Sequence, residues 1–212
     1  MEAKGMPRVS VVFPEQDPET AHAMGRAFVN DPVLCALLPE VHDPEERSKR
    51  LIGFFKGMLQ IQRRSAQPVI GTVIDGKVVG AAIIDGVTEI SAIGTVLNGL
   101  GRMPTMVGAL GVNGLWRGIK LLDELSRNHP KEPHLYLNFI GVDPSYQRNR
   151  HCGSAMIQEL KELAAQRPYL LGVYLETGTE ENVGYYSSRG YEVLGEIHPL
   201  GVRMWRMLQR RR

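Results

Sequence analysis

The chain has 212 residues, 43% of them apolar and 23% charged, with a formal net charge of +2. That apolar share supports a buried core and excludes a disordered chain, and the balanced charge gives no field for a polyanion, so no nucleic-acid partner is expected. Glycine stands out: 23 of 212 residues, about 11% against a usual ~7%.

Two cysteines, Cys35 and Cys152, are too few for a disulfide framework, and neither has zinc-ligand spacing, so no metal is expected. Met1 to Val12 has no apolar h-region, and the longest apolar run, residues 78–84, is far short of the ~20 residues that cross a bilayer. The expectation is a soluble cytoplasmic protein with no membrane association, monomeric or homodimeric.

Residues 9–13 are a β-branched run that predicts a first strand, ended by Pro14 and Asp17-Pro18. Ala21, Met24, Ala27 and Phe28 then recur at helical spacing until Asn30-Asp31-Pro32 breaks the pattern, with Asp17 or Thr20 as candidate caps. Asp43-Pro44-Glu45-Glu46 opens a second helix with the stripe Leu51, Ile52, Phe54, Phe55, Met58, Leu59, Ile61. Residues 69–74 and 78–84 flank Asp75-Gly76, a hairpin signal. Residues 86–118 hold eight glycines among long apolar side chains and a single acid, Glu89. They read as a Gly-rich apolar insert over about 86–130, ending in a helix over 119–125. A strand (135–142), a helix (153–165), a strand (173–177) and a short helix (181–189) stopped by Gly190 follow. Residues 191–197 and 202–208 close as two more strands. Nothing marks a domain boundary, so residues 1–212 predict one α/β (α+β) domain, a mixed central sheet with helices on both faces.

The stretch from Val142 to Ser154 (Val-Asp-Pro-Ser-Tyr-Gln-Arg-Asn-Arg-His-Cys-Gly-Ser) joins a strand to a helix. Backbone N–H groups at that helix start, with the charges of Arg148 and Arg150, form an anion site suited to a phosphate or pyrophosphate. An ordinary polar loop is the equally weighted alternative. Glu176 stands in an otherwise apolar strand, where desolvation raises a carboxylate pKa toward the range of a general base. Tyr186 lies on the short helix that returns beside it and offers a proton-donating phenol. A strand-end carboxylate and a packing tyrosine are the plain alternatives. Cys152 beside two arginines has the setting of a lowered thiol pKa, though a nucleophilic role ranks low. Arg206 and Arg210 to Arg212 read as a solvated basic tail.

Together these residues resemble the GCN5-related N-acetyltransferase superfamily. Val142, Pro144 and Gln147 match its acetyl-CoA signature, as does the helix rhythm Gly153-Ser154-Ala155-Met156-Ile157 with Leu160 and Ala164. Leu175-Glu176-Thr177, Glu181-Asn182-Val183, Tyr186 and Gly190-Tyr191-Glu192-Val193 look like its downstream half. The 129–133 lead-in and the Leu-Glu-Thr strand are similar to the branch containing puromycin N-acetyltransferase. The loop departs from the pattern: anchored on Gln147 it is one residue longer than usual, and anchored on Gly153, which the helix rhythm favours, His151 replaces the first glycine.

The resemblance implies direct acetyl transfer from acetyl-CoA to an amine, with Glu176 as base and Tyr186 as acid. It implies an oxyanion donor on the backbone around Ile140, Gly141 and Val142. It places the acetyl-CoA contacts at Gln147, Arg148, Asn149, Arg150, His151, Cys152, Gly153 and Ser154, with Asn182 either bonding the pantetheine arm or ordering its loop, the latter preferred. The segments that would border the acceptor are apolar, with Val33, Leu34, Leu37 and Leu38, then Ile93, Val96, Leu97, Met103, Met106, Leu110 and Trp116. A small, largely apolar amine is therefore the expected acceptor. A non-catalytic acyl-CoA-binding or sensor domain of the same fold is the alternative, motivated by the altered loop.

Overall fold

Asp75 and Gly76 both have positive φ (49° and 79°), the geometry of the tight hairpin turn that an Asp-Gly pair favours. They join β2 (Val69–Ile74) to β3 (Lys77–Asp85), the centre of one half of the sheet. The computed structural model describes residues 6–86, 103–147 and 151–211. Among these, β1 (Arg8–Val11), β4 (Leu135–Val142), β5 (Gly172–Thr177), β6 (Glu192–Ile197) and β7 (Met204–Arg210) complete a seven-stranded sheet in the order β1-β2-β3-β4-β5-β7-β6. All neighbours are antiparallel except β4 and β5.

Six α-helices accompany the sheet among the described residues: α1 (Asp17–Ala27), α2 (Pro32–Leu37), α3 (Pro44–Arg64), α4 (Met103–Asn128), α5 (Cys152–Ala165) and α6 (Glu180–Ser187). Asp43 caps α3 by accepting from Glu46 N at 2.8 Å, as its Asp-Pro-Glu-Glu start predicts. Neither candidate cap acts at α1. Asp17 is its first residue and pairs with Arg63 of α3 at 2.6 Å, while the Thr20 hydroxyl donates to the Gln16 carbonyl. The Asn30-Asp31-Pro32 break also starts a helix, because Asp31 accepts from Val33 N and Leu34 N, and proline suits the first turn of α2.

Each face of the sheet buries its own core. Met24, Phe55, Leu51 and Leu59 from α1 and α3 cover one face, joined by Met106, Leu110 and Leu125 of α4. Met156, Ile157 and Leu160 of α5 cover the other. The described part of the expected insert is mostly helix α4, whose two segments meet at Gly111 (φ 69°). Residues 87–102, including Ile93, Val96 and Leu97, lie outside the described residues, as does the Met103 side chain. No helix among the described residues is long and apolar enough to cross a membrane.

Helix α1 lies so close to α3 that a β-carbon on Gly25 would come within 2.8 Å of Ile52 N and 2.5 Å of Ile52 Cγ1. Gly108 on α4 has no atom within 4 Å of its β-carbon position. Alanine gains about 1 kcal/mol of helix propensity at either site, and overpacking costs about 1–3 kcal/mol where backbone must move. Gly25→Ala is therefore expected to lower Tm and Gly108→Ala to raise it, measured by calorimetry. The same sign for both would refute the close α1–α3 contact.

Candidate active site

Parallel β4 and β5 pair only at Leu135↔Val173 and Tyr136↔Tyr174. Beyond these residues β4 continues to Val142 and β5 to Thr177 without pairing to each other. A bulge sits at the parting point. Ile83 faces Phe139 while the next residue, Ile84, faces Leu137, so Asn138 is an extra residue in β4. A cavity of about 440 Å³ opens there, lined by residues 137–140 of β4 and 175–177 of β5. Its walls are mainly apolar, with Phe28, Phe54, Met58, Leu110, Ile119 and Leu122 among them.

Glu176 projects into this cavity with its side chain only 2% exposed. Burial raises its pKa from the usual carboxyl value of 4.5 to about 7, opposed by the nearby Tyr174 and Tyr136 phenols and by Arg206. Arg206 stands opposite Glu176 in the β5–β7 ladder, half-buried, and donates through Nη1 to the Asn128 carbonyl at 3.0 Å. It belongs to a strand interior and not to the solvated tail expected from the sequence. His129 Nε2 lies 3.5 Å from Glu176 Oε1. Burial and neighbouring His134 lower the His129 pKa to about 4, so its ring is neutral near pH 7.

Tyr186 of α6 lines the same cavity, buried, with its pKa raised first by burial and then by Tyr185. Its phenol stays protonated near neutral pH. Asn182, on the first turn of α6, also borders the cavity, and its backbone N–H donates to the Thr179 hydroxyl that caps the helix. Ile140 lines the wall. Gly141 and Val142 are buried behind it, and a β-carbon on Gly141 would come within 2.7 Å of Phe28 and 2.9 Å of Ala27. The missing side chain at Gly141 is thus required by α1.

The expected acetyl-CoA loop lies past the far end of β4. The Gln147 side chain turns back and donates to the Val142 carbonyl at 2.7 Å. Arg148, Asn149 and Arg150 lie outside the described residues. His151 precedes α5 in the left-handed conformation (φ 53°, ψ 18°), which falls where the Gly153 anchoring puts the first glycine. That conformation costs an L-residue about 1–2 kcal/mol. The Cys152 side chain is buried in the α5-side core and its carbonyl accepts from the Thr72 hydroxyl, a packing role. Ser154 Oγ receives Arg189 Nη2 at 2.8 Å and lies 3.3 Å from Tyr185 Oη, and the same guanidinium stacks 3.6 Å over the Tyr185 ring.

Sequence reasoning placed Glu176, Tyr186, Asn182 and Ile140, and the structure gathers all four around one cavity. It missed His129, Asp85 and Asn138, which also line that cavity. Burial raises the Asp85 pKa, opposed by hydrogen bonding from Asn138 and Gln62; Asn138 Nδ2 donates to it at 3.1 Å. Of the apolar acceptor-side residues, Val33, Leu34, Leu37, Met106 and Leu110 line the cavity. Leu38 is buried core, and Trp116 is 61% exposed.

The structure is thus a mixed sheet that opens between two parallel strands, with a buried carboxyl and a phenol at the opening. The Acetyltransferase (GNAT) family pattern matches residues 34–191, and the chain belongs to that family. Among solved structures, a Corynebacterium glutamicum protein described as histone acetyltransferase HPA2 and related acetyltransferase is similar at 23% identity. It covers 98% of this chain and 97% of its own, with a TM-score of 0.68. Drosophila melanogaster polyamine N-acetyltransferase, which catalyses the formation of N-acetylagmatine, is similar at 11% identity (95% and 98% covered, TM-score 0.63). Mosquito arylalkylamine N-acetyltransferase like 5b is similar at 12% identity (96% and 99% covered, TM-score 0.58). At these identities the likeness is one of fold.

The raised pKa of Glu176 sets a sign for stability against pH. The folded carboxyl holds its proton up to about pH 7, and the unfolded one releases it near 4.5. Folding therefore takes up a proton between these values, and this group's contribution to stability falls as pH rises through them. Glu176→Gln removes that loss. Its Tm is expected to equal the parent's near pH 4 and to exceed it by a few degrees at pH 8. A pH-independent offset in thermal denaturation would refute the raised pKa.

Proposed function

We propose that this chain is an N-acetyltransferase that moves the acetyl group of acetyl-CoA directly to the amine of a small, largely apolar molecule. The observation that carries this reading is that Glu176 and Tyr186, from different elements, border one apolar cavity where β4 and β5 part. Only a neutral amine attacks a carbonyl, so the ammonium form must first lose a proton. A buried carboxyl with a pKa of about 7 is matched to that task at neutral pH. The thioester supplies the acetyl group and a thiolate leaving group, and the Tyr186 phenol, kept protonated by burial, supplies the proton the thiolate needs. A backbone N–H between Ile140 and Val142, on the part of β4 that does not pair with β5, would donate to the developing oxyanion.

The acetyl-CoA phosphates would lie against the start of α5. Gly153 has no side chain there, with the Tyr185 hydroxyl 3.1 Å from its β-carbon position, and Arg189 holds a positive charge beside Ser154. Among the described residues, Gln147, His151 and Cys152 would flank this cradle, Cys152 through its backbone alone because its side chain is buried. For the acceptor, aromatic and aliphatic walls leave the polar groups near Glu176 and Asp85, which suits one ammonium on an apolar body. The Drosophila neighbour forms N-acetylagmatine, the amide of a small amine, which supports a small acceptor.

Three measurements test the reading. Tyr186→Phe is expected to lower kcat about 10²–10⁴-fold while acetyl-CoA binding by calorimetry is kept; a parent-like kcat removes the acid role. The acid limb of the parent's kcat/KM profile is expected near pH 7 and should be lost in Glu176→Gln; an unmoved limb removes the base role. In an amine panel followed by thiol release, apolar-tailed amines should exceed basic peptides. The reverse order overturns the acceptor class, binding without turnover on any amine leaves a sensor domain, and no binding refutes both.

A further inference from the structure

The Glu176 carboxyl is backed by a chain of two histidines that the transfer reaction, as derived above, does not use. His134 Nδ1 lies 2.8 Å from the Glu132 carbonyl oxygen, which only accepts, so that nitrogen carries the proton. Burial lowers the His134 pKa, so the ring is neutral and its Nε2 is bare. That Nε2 lies 3.3 Å from His129 Nδ1, which must therefore donate. The neutral His129 ring is then left with a bare Nε2, 3.5 Å from Glu176 Oε1. Both atoms are fully buried, and neither has a hydrogen-bond partner among the described residues. A lone pair facing a carboxylate oxygen repels it, whereas one proton on Oε1 satisfies both atoms at once.

We infer that His134 and His129 form a tautomer-fixed chain, anchored on the Glu132 carbonyl, that presents an unprotonated Nε2 to Glu176 and so favours the protonated carboxyl. This deepens the acetyl-transfer reading and rests on it for its catalytic meaning. In that reaction the N–H bond of the substrate ammonium breaks, its electron pair stays on nitrogen, and the proton forms an O–H bond on Oε1 directed at His129. His129 and His134 touch neither acetyl-CoA nor amine in this scheme. They are positioning residues that set where the proton rests.

The ring packing keeps the chain in place. His129 meets Tyr136 edge-on at 4.4 Å between centroids and Tyr174 at 4.8 Å, and His134 meets Tyr174 at 5.3 Å. The other groups acting on the carboxyl are the Tyr136 phenol from β4, the Tyr174 phenol from β5 and the Arg206 guanidinium from β7. All three favour the carboxylate. Asp85 of β3 acts on Tyr136, and Glu132 acts on His134. His129, whose bare Nε2 faces Oε1 at 3.5 Å, is the group that favours the acid form.

The test is NMR on the whole protein and needs no turnover. Long-range ¹H–¹⁵N spectra at pH 8 are expected to show both histidines as Nδ1–H tautomers, with the His129 Nε2 shift of an unprotonated nitrogen. A proton on His129 Nε2 overturns the inference. The ¹³Cδ resonance of Glu176 is expected to titrate near pH 7 in the parent and about one pH unit lower in His129→Phe, which keeps a buried ring and deletes the lone pair. An unchanged midpoint in a folded variant also overturns the inference; if the variant does not fold, the parent tautomers decide it. Expected tautomers in a protein that transfers no acetyl group would leave this chain standing and refute the proposed function. Transfer with a protonated His129 Nε2 would do the opposite.

Discussion

The candidate site depends on the failure of two neighbouring strands to stay paired. β4 is held along its length by β3, and β5 by β7, but the two meet each other only at two residue pairs. The sheet is thus two halves, β1 to β4 and β5 with β7 and β6, joined at a short seam. The extra residue at Asn138 marks where β4 turns away. Helix α5 keeps the halves together from behind, since its core takes in Val79 and Leu137 from one and Val173, Leu175 and Met207 from the other. Leaving strand edges unpaired carries a desolvation cost of about 1–3 kcal/mol per group if nothing answers them.

The same opening decides the chemistry of Glu176. In a continuous sheet Glu176 would have neighbours on both sides; here it faces Arg206 on β7 but has no partner on β4, and its side chain reaches the cavity. Desolvation is the largest influence and outweighs those that oppose it. Arg206 is the obvious counter-charge, yet one of its nitrogens is spent on the Asn128 carbonyl and its Nε finds no partner. A full two-pronged ion pair would hold the carboxylate ionised and make it a poor proton store. The incomplete pairing preserves a carboxyl near neutrality, between a cation that favours its charge and a histidine that favours its acid form.

Features written locally were legible in the sequence. Asp75-Gly76 announced its hairpin, Asp43-Pro44 its helix start, and the alternation from residue 135 onward its strands and helices. Glu176 and Tyr186 were legible as candidates because an acid in an apolar strand and a tyrosine on the adjoining helix are unusual together. Features set by long-range register were not. Arg206 looks like part of the basic C-terminus until the β5–β7 ladder places it opposite Glu176. His129 sits in a polar, proline-bounded stretch, and only the fold of α4 over the sheet brings it to that carboxyl. Pro32 was read as a stop, although the residue that ends one helix begins the next when an aspartate precedes it.

The glycines of the helices serve different purposes once helix contacts are known. Gly53 and Gly57 of α3 and Gly114 of α4 are contact points, while a β-carbon on Gly108 or Gly118 would meet nothing within 4 Å. A β-carbon on Gly57 would come within 2.7 Å of Met106, on Gly53 within 3.3 Å of Ala109, and on Gly114 within 2.8 Å of the Leu37 carbonyl. These positions let α4 settle against α2 and α3, bringing Met106, Leu110 and Leu122 over the cavity. Gly118 lines the cavity itself and adds no side chain to fill it. Gly111 alone is needed for its backbone, the turn between the two segments of α4. Side chains at the contact glycines would push α4 outward and let water reach Glu176, lowering the pKa that burial now raises. Glycine in the helices thus serves the same end as the strand opening: a cavity beside which the Glu176 carboxyl is buried and its pKa raised toward neutrality.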